Sequence, residues 1–136
     1  MSGSVEQGSS QSHGNTRILH FLVRLPRPME VVWPVLATAE GLGGWLTGVE
    51  VLEPRLGGAV GLGELGAGQV TAWDVERVAE YTVEGGRVRF HLERDGEDGS
   101  VLRFTHEFQH EFQGEGAAEP LWRARFERLV ESLSQS

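Results

Sequence analysis

The chain has 136 residues, 39% of them hydrophobic and 24% charged, which suits one ordinary globular domain and excludes a chain disordered throughout. Its formal net charge of −8 disfavours nucleic acid and anionic membrane as partners. Cysteine is absent, which excludes disulfides, thiolate nucleophiles and Cys-based zinc sites; all 12 basic residues are arginine, which excludes a phosphate-loop lysine and a Schiff-base lysine.

Residues 1–15 are dominated by Ser, Gly and Gln, with no basic start and no apolar stretch. They read as a disordered tail rather than a signal peptide, which leaves one domain over residues 16–136. No apolar run approaches the ~20 residues of a membrane helix. With the missing cysteines, this predicts a cytoplasmic protein that inserts in no membrane.

From Thr16 the pattern changes. Residues 17–25 predict a strand, with Leu19, Phe21, Val23 and Leu25 on one face, closed by Pro26 and Pro28. Pro28 suits the first turn of a helix in which Met29, Val32, Trp33, Val35 and Leu36 recur at helical spacing. Pro34 is the misfit and predicts a kink or a late start. A second short helix is expected over residues 40–46, weakened by Gly41, Gly43 and Gly44.

The middle of the chain predicts strands over residues 49–54, 59–64, 69–79 and 81–84, punctuated by Gly57-Gly58 and Gly85-Gly86. Residues 87–93 alternate strictly, with Val88, Phe90 and Leu92 on one face. After a turn at residues 95–99, residues 100–112 alternate again, with Leu102, Phe104, His106, Phe108, His110 and Phe112 on one face. Pro120 opens a closing helix with an apolar stripe of Trp122, Phe126, Leu129, Val130 and Leu133. Arg123, Arg125, Glu127, Arg128 and Glu131 are expected on its outer side. Strand, two short helices, a run of strands and a long helix make an α+β protein with an antiparallel sheet of about six to seven strands.

The loudest motif is His106-Glu-Phe-Gln-His110, the H-E-x-x-H spelling of a zinc protease. On a helix the two imidazoles, ~6 Å apart along the axis, reach one metal. On a strand the same spacing is ~13 Å and they do not. The β-branched and aromatic lead-in predicts a strand, and a tandem His-Glu-Phe-Gln repeat explains the spelling without a metal. No metal or cofactor is therefore expected. No serine sits in a G-x-S-x-G elbow, and Gly61, Gly63 and Gly66 are followed by no helix that would cradle a phosphate. Acid–base work would fall to His106, Asp74 or Glu107, with nothing in the sequence to bring them together.

Six segments in order carry a family likeness. Residues 25–33 (LPRPMEVVW), 37–46 (ATAEGLGGWL), 51–58 (VLEPRLGG), 68–75 (GQVTAWDV), 102–106 (LRFTH) and 121–129 (LWRARFERL) resemble motifs of the START-like (SRPBCC) superfamily. The branch they look most like is named after the activator of the heat shock protein 90 ATPase. The resemblance implies a helix-grip fold: a curved antiparallel sheet around a long C-terminal helix, with two short helices after the first strand. It also implies an apolar cavity between sheet and helix. Trp45, Trp73, Phe90, Phe104, Phe108, Trp122 and Phe126 would line it, with His106 as the polar handle for a lipid-like or polyketide-like ligand. The same family leaves open a chaperone-ATPase interaction module, a cyclase or hydrolase, and a homodimer.

Overall fold

The computed structural model describes residues 3–46, 48–109 and 118–134. Period-two alternation becomes strand wherever a partner is in register, and the order along the chain is β1 (Ser4–His13), β2 (Thr16–Leu25), α1 (Met29–Ala37), α2 (Ala39–Gly43), β3 (Val51–Leu52), β4 (Ala59–Gly61), β5 (Ala67–Asp74), β6 (Val78–Val83), β7 (Gly86–Asp95), β8 (Gly99–Gln109) and α3 (Ala118–Ser134). A 3-10 turn, Gly63–Leu65, joins β4 to β5. The strands form one antiparallel, curved sheet in the order β1-β2-β8-β7-β6-β5-β4-β3. The α+β architecture is the expected one, but the sheet has eight strands rather than six or seven.

The added strand is β1, where a disordered tail was expected. It pairs with β2 from Ser4↔Arg24 to His13↔Thr16, with an irregularity between Val5 and Gln7. The two-residue turn is Gly14-Asn15, and Gly14 takes φ 60°, the left-handed backbone that such hairpins need. Small side chains suit this strand because α3 lies across it. A Cβ on Gly8 would stand 2.8 Å from the Phe21 ring and 2.7 Å from Nη2 of Arg123.

Another difference falls between residues 69 and 79, which form two strands instead of one. The chain reverses at 74–77, where the Arg77 N–H donates to the Asp74 carbonyl at 2.8 Å. Glu76 supplies the left-handed φ of 69°, so neither glycine nor proline marks the turn. A bulge between Val70 and Ala72 then shifts the parity of β5. Trp73 is thereby aligned with Ala79 in the inward row.

Pro34 stands inside α1 without ending it. The helix stops at Thr38, whose hydroxyl donates to the Pro34 carbonyl at 2.7 Å and accepts the Gly41 N–H at 2.9 Å, capping α2. Gly41 is required by this corner, since a Cβ there would lie 2.1 Å from the Pro34 oxygen. The Tyr81 hydroxyl, donating to the Leu36 carbonyl at 2.7 Å, ties the end of α1 to β6.

The core lies between the inner face of the sheet and the helices. One cross-strand row runs Phe21–Phe104–Phe90–Ala79–Trp73 and the next Leu19–His106–Val88–Tyr81–Val70. From α3, Trp122, Phe126, Leu129 and Leu133 are buried against the rest of the core. The outer face carries arginines on β2, β7 and β8, and ion pairs Arg24–Asp95 and Arg103–Glu93. No helix among the described residues is long and apolar enough to cross a membrane.

Candidate functional site

Seven of the eight residues expected to line a cavity come together. Trp45, Phe90, Phe104, His106, Phe108, Trp122 and Phe126 are each 3% exposed or less. Alternation on β7 and β8 and the helical stripe on α3 put six of them there, and Trp45 enters from the chain just after α2. Trp73 does not join them; it is half-buried and packs edge-on against Trp33 of α1 at 5.1 Å.

The expected cavity is occupied by these rings themselves. Phe104 lies 4.4 Å from Trp122, 4.8 Å from Phe126 and 5.3 Å from Phe90, centroid to centroid. Trp45 closes the group at 5.6 Å from Phe126 and 5.9 Å from Phe90. These spacings are those of direct aromatic contact. Surface depressions open around this core rather than within it, one of about 360 Å³ on the outer face beside His20, His91 and Arg103, one of about 500 Å³ beside Glu84, Gly86 and Phe108, and one of about 560 Å³ beside Pro34, Thr38 and Trp45.

His106 is not a free handle. The Trp122 indole N–H donates to His106 Nδ1 at 3.0 Å, and Nε2 lies 2.9 Å from the Gly85 carbonyl. An indole nitrogen only donates, so Nδ1 is the acceptor and Nε2 carries the proton. The ring is neutral: burial, with Arg125 nearby, pushes its pKa down to about 4 against the opposing bond to Gly85. With both nitrogens committed to protein partners, His106 has none left for a metal. The zinc spelling fails at its first residue, because residues 106–109 are extended in β8; His110 and Phe112 lie outside the described residues. Among the described residues no group of three or more His, Asp or Glu is placed to hold a metal.

The acid–base candidates do not converge either. Asp74 ends β5 and is exposed, and Glu107 follows His106 on the strand and pairs with Arg87 on the other face of the sheet.

The residue that sequence reasoning misplaced is Arg125. Expected on the outer side of α3, it is 4% exposed. Its guanidinium lies 4.7 Å from the centroid of the Trp122 ring and donates to Glu64 Oε1 at 2.5 Å. Burial depresses its pKa, Glu64 works against that, and Arg128 adds to it. Glu64 itself is 66% exposed at the side chain and sits in the 3-10 turn. Its neighbour Leu65 accepts the Gly85 N–H at 2.7 Å.

The contacts therefore close on themselves: turn 63–65 to Gly85, Gly85 to His106, His106 to Trp122, Trp122 to Arg125, and Arg125 back to the turn. Gly66 lets the turn fold in, with φ 95° and no room for a Cβ, which would meet the Glu84 side chain at 2.6 Å. This ring of polar contacts seals one end of the aromatic core where four separate pieces of chain meet. A buried cation at an apolar strand–helix seam has one sequence signal, an arginine one residue before Phe126 on the stripe of α3.

No protein-family model and no curated protein matches the sequence. Solved structures do. A conserved protein of unknown function from Enterococcus faecalis superposes with a TM-score of 0.79 at 16% identity, over 92% of this chain and 75% of that one. CalU16 from Micromonospora echinospora gives 0.72 at 17% identity, over 96% of this chain and 74% of that one. The Aha1 dimer from Colwellia psychrerythraea gives 0.68 at 19%, over 85% of this chain and 95% of that one. The eight-stranded sheet, the two short helices after β2 and the long final helix are thus those of the helix-grip fold.

Proposed function

We propose that the chain binds an apolar small molecule in the interior beneath α3, admitted where the turn at 63–65 meets Trp122 and Arg125. The observation that carries this reading is the composition of that seam. Rings that bury by stacking are followed outward by a neutral imidazole, an indole and one guanidinium, a gradient from apolar to cationic. A buried arginine is a costly way to fill a core, because desolvating its charge offsets much of what pairing with Glu64 and Trp122 returns. An apolar guest replaces ring–ring contacts by ring–ligand contacts of the same kind, at ~25 cal/mol per Å² of apolar surface removed from water. Binding displaces α3 from the sheet, since the rings fill the space between them.

The test uses N-phenyl-1-naphthylamine, a neutral apolar probe that brightens out of water. Saturable one-to-one binding to the folded protein is expected. A signal that rises without saturation, or no signal at all, counts against an interior site.

A further inference from the structure

The seam also says what kind of head the guest carries. Resting on the reading above, we infer that the guest is an amphiphile with a carboxylate, which binds Arg125 in place of Glu64. Arg125 is the one buried arginine among the described residues. Its side chain is 5% exposed while its partner is 66% exposed, so the pair is asymmetric. The cation is fixed by α3 and by the Trp122 face; the anion is the half free to leave. Glu64 is held by a three-residue turn that opens at Gly63 and is followed by Gly66, both at positive φ. Swinging it out to water costs little, because water resolvates a carboxylate that is already two-thirds exposed.

The buried guanidinium cannot be left bare in the same way, since an uncompensated charge in an apolar site is strongly unfavourable. An incoming carboxylate restores the same charge-assisted bond, so the exchange conserves charge and hydrogen bonding. A neutral guest offers no such replacement. Its entry must leave Glu64 in place or leave Arg125 unpaired. Departure of Glu64 also loosens the turn, whose Leu65 carbonyl is bonded to Gly85, and with it one wall of the seam. The other arginines whose ion pairs stand among the described residues offer no equivalent, since Arg24, Arg55, Arg87, Arg89, Arg103 and Arg123 have side chains 39% exposed or more.

The experiment is calorimetric titration of the full chain with decanoate and with decanol, below their aggregation limits and above the carboxyl pKa. Decanoate is expected to bind at least about tenfold more tightly than decanol, the usual worth of a charge-assisted hydrogen bond. Arg125→Met keeps an unbranched apolar stem without the charge, and should bring the affinity ratio close to one. Glu64→Gln removes the competing anion from an exposed position, and should raise the ratio about tenfold. Equal affinity for both ligands, or a ratio untouched by either substitution, overturns the carboxylate inference and leaves an apolar binder standing. Binding of neither ligand overturns both.

Discussion

At His106 the direction of each hydrogen bond is fixed by the chemistry of its partner, and this gives the residue a measurable signature. The native imidazole holds its pKa near 4 because burial disfavours the cation, whereas in the unfolded chain the ordinary value is 6.5. Between these limits the unfolded chain binds a proton that the native ring refuses. Stability therefore falls as pH falls through this window, by about 1.4 kcal/mol per pH unit for this one group, and is insensitive to it above and below. Carboxylates titrate near the acid end of the same range, so the quantity to measure is a difference. Urea unfolding from pH 7 to pH 4 should show a steeper loss for the native chain than for His106→Gln. Parallel curves would mean that the ring is solvated and that the seam is open. His106 was legible as an inward-facing residue from alternation alone. That both its nitrogens are engaged was not, because the partners, Gly85 and Trp122, are brought to it by tertiary contacts that no local spacing encodes.

Among the elements, β2, α1, β7, β8 and α3 follow from local pattern, because each has an apolar period matching its geometry over eight or more residues. Where the pattern is carried by something else, local reading fails. The turn at 74–77 rests on a left-handed glutamate, and the face of Trp73 depends on a bulge. Strand β1 has few apolar side chains to alternate and owes its order to pairing with β2 and to α3 lying over it. Gly14-Asn15 was the available hint, a two-residue hairpin pair directly before an apolar strand. Hydrogen exchange tests this element directly. Amides of β1 that bond across to β2 should exchange far more slowly than those of a free peptide, and removing residues 1–13 should speed exchange in β2. Fast exchange throughout residues 4–13 would instead restore the disordered tail that composition suggests.

Over the whole molecule, the acidic balance and the arginines divide the surface from the interior. The outer face of the sheet pairs most of its exposed guanidiniums with carboxylates, contacts worth little each. One guanidinium is drawn inside, at the point where the aromatic core reaches the seam. The fold was readable as α+β with a gripping final helix, since six short motifs and the order of elements survive in sequence. Whether the space beneath that helix is vacant or filled was not readable, because it depends on how large rings from β7, β8, α2's end and α3 meet in three dimensions. They meet ring on ring, so a guest must part them. The measurement that tests this most directly is the indole region of a proton–nitrogen correlation spectrum during titration with decanol and with decanoate. Saturable shifts of the Trp122 and Trp45 indole signals, with Trp33 and Trp73 unmoved, are the expected result. Shifts confined to Trp33 and Trp73, or no shifts at all, would contradict an interior site beneath α3.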